Sequence, residues 1–257
     1  MDVGISRLLS CNSARPRSAT WYRPMSRHTV SRRSSGSEGR PTSTSPSVTG
    51  VPAEFKVCWT LSPGRDRVIL YLRLVVLLDA LFVAVYGTLN WLTSLRHDAL
   101  KLFFDWETDI PFVPSMIGAY LSITALFFLP VFALDKDELR LLARRIALAI
   151  VISGLAYLLL PSRLGFDRPP HVPGYGPVFR LLYALDGPHN LMPSLHVAYS
   201  TLIIASVSRP VTPAWLRRLL SAWLAIICVA AVLVHQHHIV DVVGGMLVTW
   251  ASLRATR

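Results

Sequence analysis

This chain is short of charged residues and of cysteines. Only 16% of its 257 residues are charged, and 15 Asp and Glu stand against 26 Lys and Arg, a formal charge of +11. So little charge beside 52% hydrophobic residues and a mean hydropathy of +0.45 argues against a soluble globule and for a polytopic membrane protein. Three scattered cysteines, Cys11, Cys58 and Cys228, offer neither a disulfide framework nor metal-ligand spacing, which argues against redox chemistry. No internal repeat is present. The positive excess gathers in the first 67 residues and in short loops between apolar runs. It therefore reads as membrane topology, and nucleic acid is not an expected partner.

Residues 1–60 are rich in Ser, Arg, Pro and Thr, as in "SRRSSGSEGRPTSTSPS", with no apolar periodicity. Such a segment buries no core, so a disordered basic tail is expected, with an over-extended gene start or an organelle transit peptide as alternatives. The membrane domain is expected over residues 68–257. Six apolar runs fall there: Val68–Leu89, Pro114–Leu134, Ile146–Leu160, Leu191–Val207, Leu216–Val234 and His238–Leu253. Several approach the roughly 20 residues of a spanning helix and three are shorter. The fold class is thus all-α, a bundle of six transmembrane helices. Lys136, Arg140, Arg144 and Arg145, then Arg209, Arg217 and Arg218, then Arg254 and Arg257 fall with the basic tail on one side. The positive-inside bias makes that side cytoplasmic, in a plasma or inner membrane, with both termini inside.

Three polar clusters interrupt the apolar chain: "LPSRLGFDRPP" (Leu160–Pro170), "NLMPSLH" (Asn190–His196) and "VHQHHIVD" (Val234–Asp241). Six passes bring all three to the extracytoplasmic face. Pro193 suits the first turn of a helix and Asn190 its cap, which turns free N–H groups toward an anion. Ser194 and His196 share a ligand only if Ser194 works from the open first turn. Read alone, the motif favours Ser194 as a helix cap and His196 as a satisfied interfacial histidine. His237 and Asp241 are four apart, one helical face, so the carboxylate can bond one ring nitrogen and leave the other to attack; with His235 and His238 nearby, the same spacing suits a metal. Arg163 and Arg168 match phosphate oxygens, although each alone also suits a lipid headgroup.

The three clusters, in this order, resemble the type 2 phosphatidic acid phosphatase (PAP2) superfamily. Its motifs KxxxxxxRP, PSGH and SRxxxxxHxxxD stand here as Arg168-Pro169, Pro193-Ser194-Leu195-His196, and His237 with Asp241. Pro161 replaces the first Lys, Leu195 the glycine, and Ala230 and Ala231 the Ser-Arg pair. "PSLH", "HHIVD" and "DIPFVPSMIGAYLS" (Asp109–Ser122) are closer in style to the branch of inositolphosphotransferases and sphingomyelin synthases, which move a phospho-headgroup between lipids.

The resemblance implies an enzyme that needs no cofactor or metal and acts on a phospholipid or an isoprenoid phosphate or pyrophosphate at the extracytoplasmic face of the bilayer. It implies His237 as nucleophile, Asp241 as its orienter and His196 as general acid, with Arg163, Arg168 and Ser194 holding phosphate. A rival from another class is a transporter or metal-binding membrane protein built on the histidines. Transport sites gather near the midplane at a repeat interface, whereas these residues gather at one end. Asp79, an intramembrane carboxylate, is expected to be neutralised by Arg73 or a neighbouring helix.

Overall fold

The computed structural model describes residues 62–209 and 212–257; the tail expected at 1–60 lies outside them. Among the described residues seven helices form: α1 (Arg65–Ser94), α2 (Pro114–Ala133), α3 (Lys136–Leu159), α4 (Gly176–Leu185), α5 (Leu195–Val207), α6 (Ala214–Leu233) and α7 (Ile239–Ala255). Extended structure is limited, among these residues, to the isolated bridges Leu100–Ser162 and Arg163–His189. The protein is a helical membrane protein. Helices α1, α2, α3 and α6 are each long and apolar enough to cross a bilayer.

Hydropathy located six of the seven helices and misplaced some boundaries. The third begins at Lys136, ten residues before its apolar run. Asp135 caps it, accepting from the Asp137 and Glu138 N–H groups at 3.0 and 2.9 Å, while Glu138 Oε2 accepts from the Asp135 N–H at 2.8 Å. This reciprocal box starts a helix on polar residues, so Lys136, Arg140, Arg144 and Arg145 ride on α3 and not in a loop. Helix α4 was not anticipated. It is a ten-residue amphipathic segment that buries Phe179 and Leu182 and exposes Leu181 and Leu185.

Helix α5 sits at the centre, packed against α2, α3, α6 and α7. Its 13 residues make about 20 Å, well short of a hydrocarbon core of about 30 Å. Its neighbours make that length tolerable, since Val197, Ala198 and Leu202 are wholly buried among them. The main core joins Leu126 of α2, Leu142, Ile146 and Ile150 of α3, Leu202 and Ile203 of α5 and Val248 of α7. A second cluster packs Ile117 and Tyr120 of α2 with Phe179 and Leu182 of α4 and Ala230 and Ala231 of α6. Helix α1 lies outside this core and buries only Thr93.

One end of the bundle is tied by charge. Lys136 pairs with Asp66 at 3.3 Å, Arg209 pairs with Glu138, and Arg145 Nε donates to Thr256 Oγ1 at 3.0 Å. The polar clusters meet at the other end.

Candidate active site

Helix α5 begins at the site. Its cap is Ser194, whose Oγ accepts from the Val197 N–H at 3.2 Å, and not Asn190, which lies four residues upstream at φ 55°. Between them Asn190–Pro193 form an irregular turn with a cis Met192–Pro193 bond. The fourth apolar run therefore starts as a loop. Tyr157 of α3 holds this turn by donating to the Pro193 carbonyl at 2.7 Å.

Helix α7 delivers the second half. Two glycines let it approach the start of α5: a Cβ on Gly244 would lie 3.0 Å from Pro193 Cβ, and one on Gly245 would collide with the Ser194 carbonyl. The Ser194 N–H donates to the Asp241 carbonyl at 3.0 Å, and Thr249 Oγ1 donates to the Ala198 carbonyl at 3.2 Å.

This approach sets Ser194 Oγ 3.1 Å from His237 Nε2, with both residues buried. Asp241 Oδ2 lies 3.6 Å from His237 Nδ1, outside hydrogen-bond reach, because it accepts the His238 N–H at 2.7 Å. His237 is not on the helical face with Asp241 as its spacing implied; it precedes the cap residue His238. The pair nevertheless faces each other, and catalytic hydrogen bonds are commonly long without substrate.

The three neighbouring histidines diverge. His235 Nε2 donates to the Ile110 carbonyl at 2.9 Å. His238 Nε2 accepts from the Gly165 N–H at 3.0 Å, which leaves its Nδ1–H to donate to Glu107 Oε2 at 3.2 Å. Phe166 stacks between the two rings, 3.9 Å from His235 and 4.2 Å from His238. Both rings thus pack the walls and only His237 of the three bonds to Ser194. Among the described residues no group of three His, Cys, Asp or Glu is placed to hold a metal ion.

His196 lies on the first turn of α5 with its ring stacked on Tyr120, centroids 4.0 Å apart. Its Nε2 is buried without a hydrogen-bond partner, as is Asn190 Nδ2. Arg168 reaches the edge of the site: its guanidinium donates to the Asp186 carbonyl at 2.6 Å and Gln236 Oε1 at 3.3 Å and lies over the Tyr183 ring, while its Nε is orphaned. Burial, and then the nearby Arg168 charge, hold His189 below the usual imidazole range. Arg163 does not join this group. Its backbone is bridged to His189, but its side chain is exposed and has no side-chain partner among the described residues.

Glu107 is the residue that sequence reasoning missed. It is wholly buried, accepting from His238, from the Ile239 N–H at 2.8 Å and from the Phe104 N–H at 3.2 Å. Its carboxylate thereby ties the Asp105–Asp109 turn to the N-terminus of α7, a favourable end for negative charge. A single Glu in "DWETD" carries no signal of such a role.

A cavity of about 710 Å³ opens from His196, His237 and Asn190 and runs between α1, α2, α3 and α5 past Tyr86, Phe82, Phe127 and Ile203. Its walls are mostly apolar. Fold and site together define a helical membrane protein in which a buried Ser–His–Asp group closes one end of an apolar chamber. Residues 142–257 match the family model of the PAP2 superfamily, a family whose members are generally phosphoesterases. No curated protein and no solved structure matches the chain. The matched segment holds Arg163, Arg168, Ser194, His196, His237 and Asp241, whereas Asp79, Glu107 and Tyr120 precede it.

Proposed function

We propose that the chain is an integral-membrane lipid phosphatase or phosphotransferase that works through a phosphohistidine on His237. The observation that carries this reading is the end of the apolar chamber, where His237 and the orphaned Nε2 of His196 share one wall. An apolar chamber takes the lipid chain, and unpartnered buried nitrogens take the phosphate and the leaving oxygen.

His237 Nε2 attacks phosphorus in line as the lipid oxygen departs, and His196 gives that oxygen its proton. Asp241 stabilises the positive ring. Ser194, whose proton points at His237 before substrate arrives, turns it to a phosphate oxygen when Nε2 attacks. Arg168, Arg163 drawn in from its exposed position, and the N–H groups of the first turn of α5 hold the remaining oxygens. Water or an acceptor hydroxyl, giving its proton to His196, then attacks phosphorus and frees His237.

The site is read as extracytoplasmic, with both termini inside, because Lys136, Arg140, Arg144, Arg145 and Arg209 mark the opposite end. The test is to incubate purified protein with labelled phosphatidic acid, polyprenyl pyrophosphate and phosphatidylinositol, with and without ceramide or diacylglycerol. Free phosphate marks a phosphatase and a new lipid marks a transferase. No product from any of them, and no acid-labile phosphoenzyme, rejects the proposal.

A further inference from the structure

One polar feature of the chamber has no part in that chemistry. Tyr199 lies on α5 three residues after His196, about 4.5 Å deeper along the axis. Its ring sits edge-on between Phe82 of α1 and Phe127 of α2, with centroids 6.4 and 6.2 Å away. Its hydroxyl is buried with no hydrogen-bond partner. Asp79 of α1 lines the same chamber, near enough to act on Tyr199 electrostatically. Among the described residues no Lys, Arg or His lies within ion-pair distance of it, Arg73 included. The expected neutralisation by Arg73 or another helix is therefore absent from these contacts.

The Tyr199 hydroxyl, buried without a partner, and Asp79, a carboxyl exposed on α1 where it lines the same chamber, do not bond each other, and in a membrane interior each demands an explanation. We infer that Asp79 and Tyr199 form a specificity rung that receives a hydroxyl or amide on the backbone of the lipid phosphate. Such a group donates to the Asp79 carboxyl and accepts from the Tyr199 hydroxyl, which an ester carbonyl or a hydrocarbon cannot do at once. Tyr199 follows His196 by one turn of α5, and a hydroxyl on the carbon after the phosphate-bearing one lies about four bonds from phosphorus. This rests on the lipid-phosphate reading of the site. It adds selection against polyisoprenoid chains, which carry nothing for the rung to bind.

Binding separates this inference from catalysis. His237→Ala protein in nanodiscs is titrated, by competition with a fluorescent lipid phosphate, with 1-oleoyl lysophosphatidate and with its 2-deoxy analogue. The hydroxyl is expected to tighten binding about three- to tenfold, the range of one net hydrogen bond. Adding Tyr199→Phe, which keeps the ring and its packing, is expected to lower the ratio of the two dissociation constants, Asp79→Leu to do the same, and the two together to bring it close to one. Equal binding of the two lipids before Tyr199 is changed, or a ratio that Tyr199→Phe leaves intact, overturns the rung. No binding of either lipid overturns both the rung and the proposed function. A clear hydroxyl preference in a protein whose unmutated form turns over no lipid phosphate supports the rung and rejects only the enzyme.

Discussion

Ser194 Oγ lies 3.1 Å from Nε2 of His237, and the same oxygen caps helix α5 by accepting the Val197 N–H. One hydroxyl therefore fixes the start of a helix and the ring that the proposed mechanism uses as nucleophile. The arrangement also admits the reverse assignment, Ser194 attacking with His237 as base, and substitution distinguishes the two. With His237 as nucleophile, Ser194→Ala removes one phosphate donor, a loss of about 10²–10³ in turnover, and a residual acid-labile phosphoenzyme still forms. His237→Ala leaves none. An acid-stable phosphoenzyme that vanishes in Ser194→Ala would assign the attack to Ser194.

Glu107 gives a stability prediction. Glu107→Ala strips the buried His238 Nδ1–H of its acceptor, a loss of about 1–3 kcal/mol, and the partly buried Ile239 N–H of its own. The melting temperature in detergent, compared at one scan rate, is expected to fall clearly. Glu107→Gln, whose amide oxygen still accepts, is expected to recover part of the loss. An unchanged melting temperature in Glu107→Ala would show that the hydrogen bonds at 3.2 and 2.8 Å contribute nothing net.

How much of this was legible follows from which interactions leave a pattern in one dimension. The apolar runs located six helices, because lipid-facing and core-facing residues are both apolar and lengthen the signal. The start of α3 was hidden, since its first turns are polar and capped by Asp135. Helix α4 was hidden as well: ten residues are too short for a spanning signal. The serine and histidine of "PSLH" and His237 of "HHIVD" were legible as polar residues in apolar runs, and the structure brings Ser194 and His237 into contact. Helical spacing misread the His237–Asp241 relation, because His238 caps α7 and takes the carboxylate first. Glu107 and Tyr120 act on residues more than 70 positions away, a separation that no local pattern records.

The glycines of α7 predict a geometric effect on activity. Gly245→Val places branched carbon against the Ser194 carbonyl and Val197, so α5 and α7 must part. A displacement of about 1 Å can cost 10²-fold in rate, and turnover is expected to fall at least that far while the protein still purifies as a folded species. Gly118→Ala is the control, since a Cβ there meets nothing within 4 Å. Near-normal turnover in Gly245→Val would separate the helix contact from function.

Sidedness is testable at His171, exposed on the loop before α4. Gly174 in the same loop is unsuitable, because its φ of 73° strains any side chain. In a background with Cys11 and Cys58 replaced by Ser, His171→Cys is expected to react with an impermeant maleimide in intact cells, Cys228 being buried. Reaction only after permeabilisation would turn the site to the cytoplasm.

The leaving group separates His196 from His237. As general acid, His196 matters in proportion to how badly the departing oxygen needs a proton, help typically worth about 10²–10⁴-fold. A lipid alkoxide leaves poorly and p-nitrophenolate well. His196→Ala is therefore expected to slow single-turnover formation of the phosphoenzyme from lipid phosphate far more than from p-nitrophenyl phosphate. Breakdown has to be followed separately, since the same ring takes the proton of the attacking water. His237→Ala carries no such selectivity, because no covalent path remains for either substrate. The stacking of His196 on Tyr120 supplies a control: Tyr120→Phe keeps the ring contact and is expected to preserve the selectivity between the two substrates. Equal slowing of both substrates in His196→Ala would remove the acid role and leave His196 as a group that binds phosphate or packs the chamber wall.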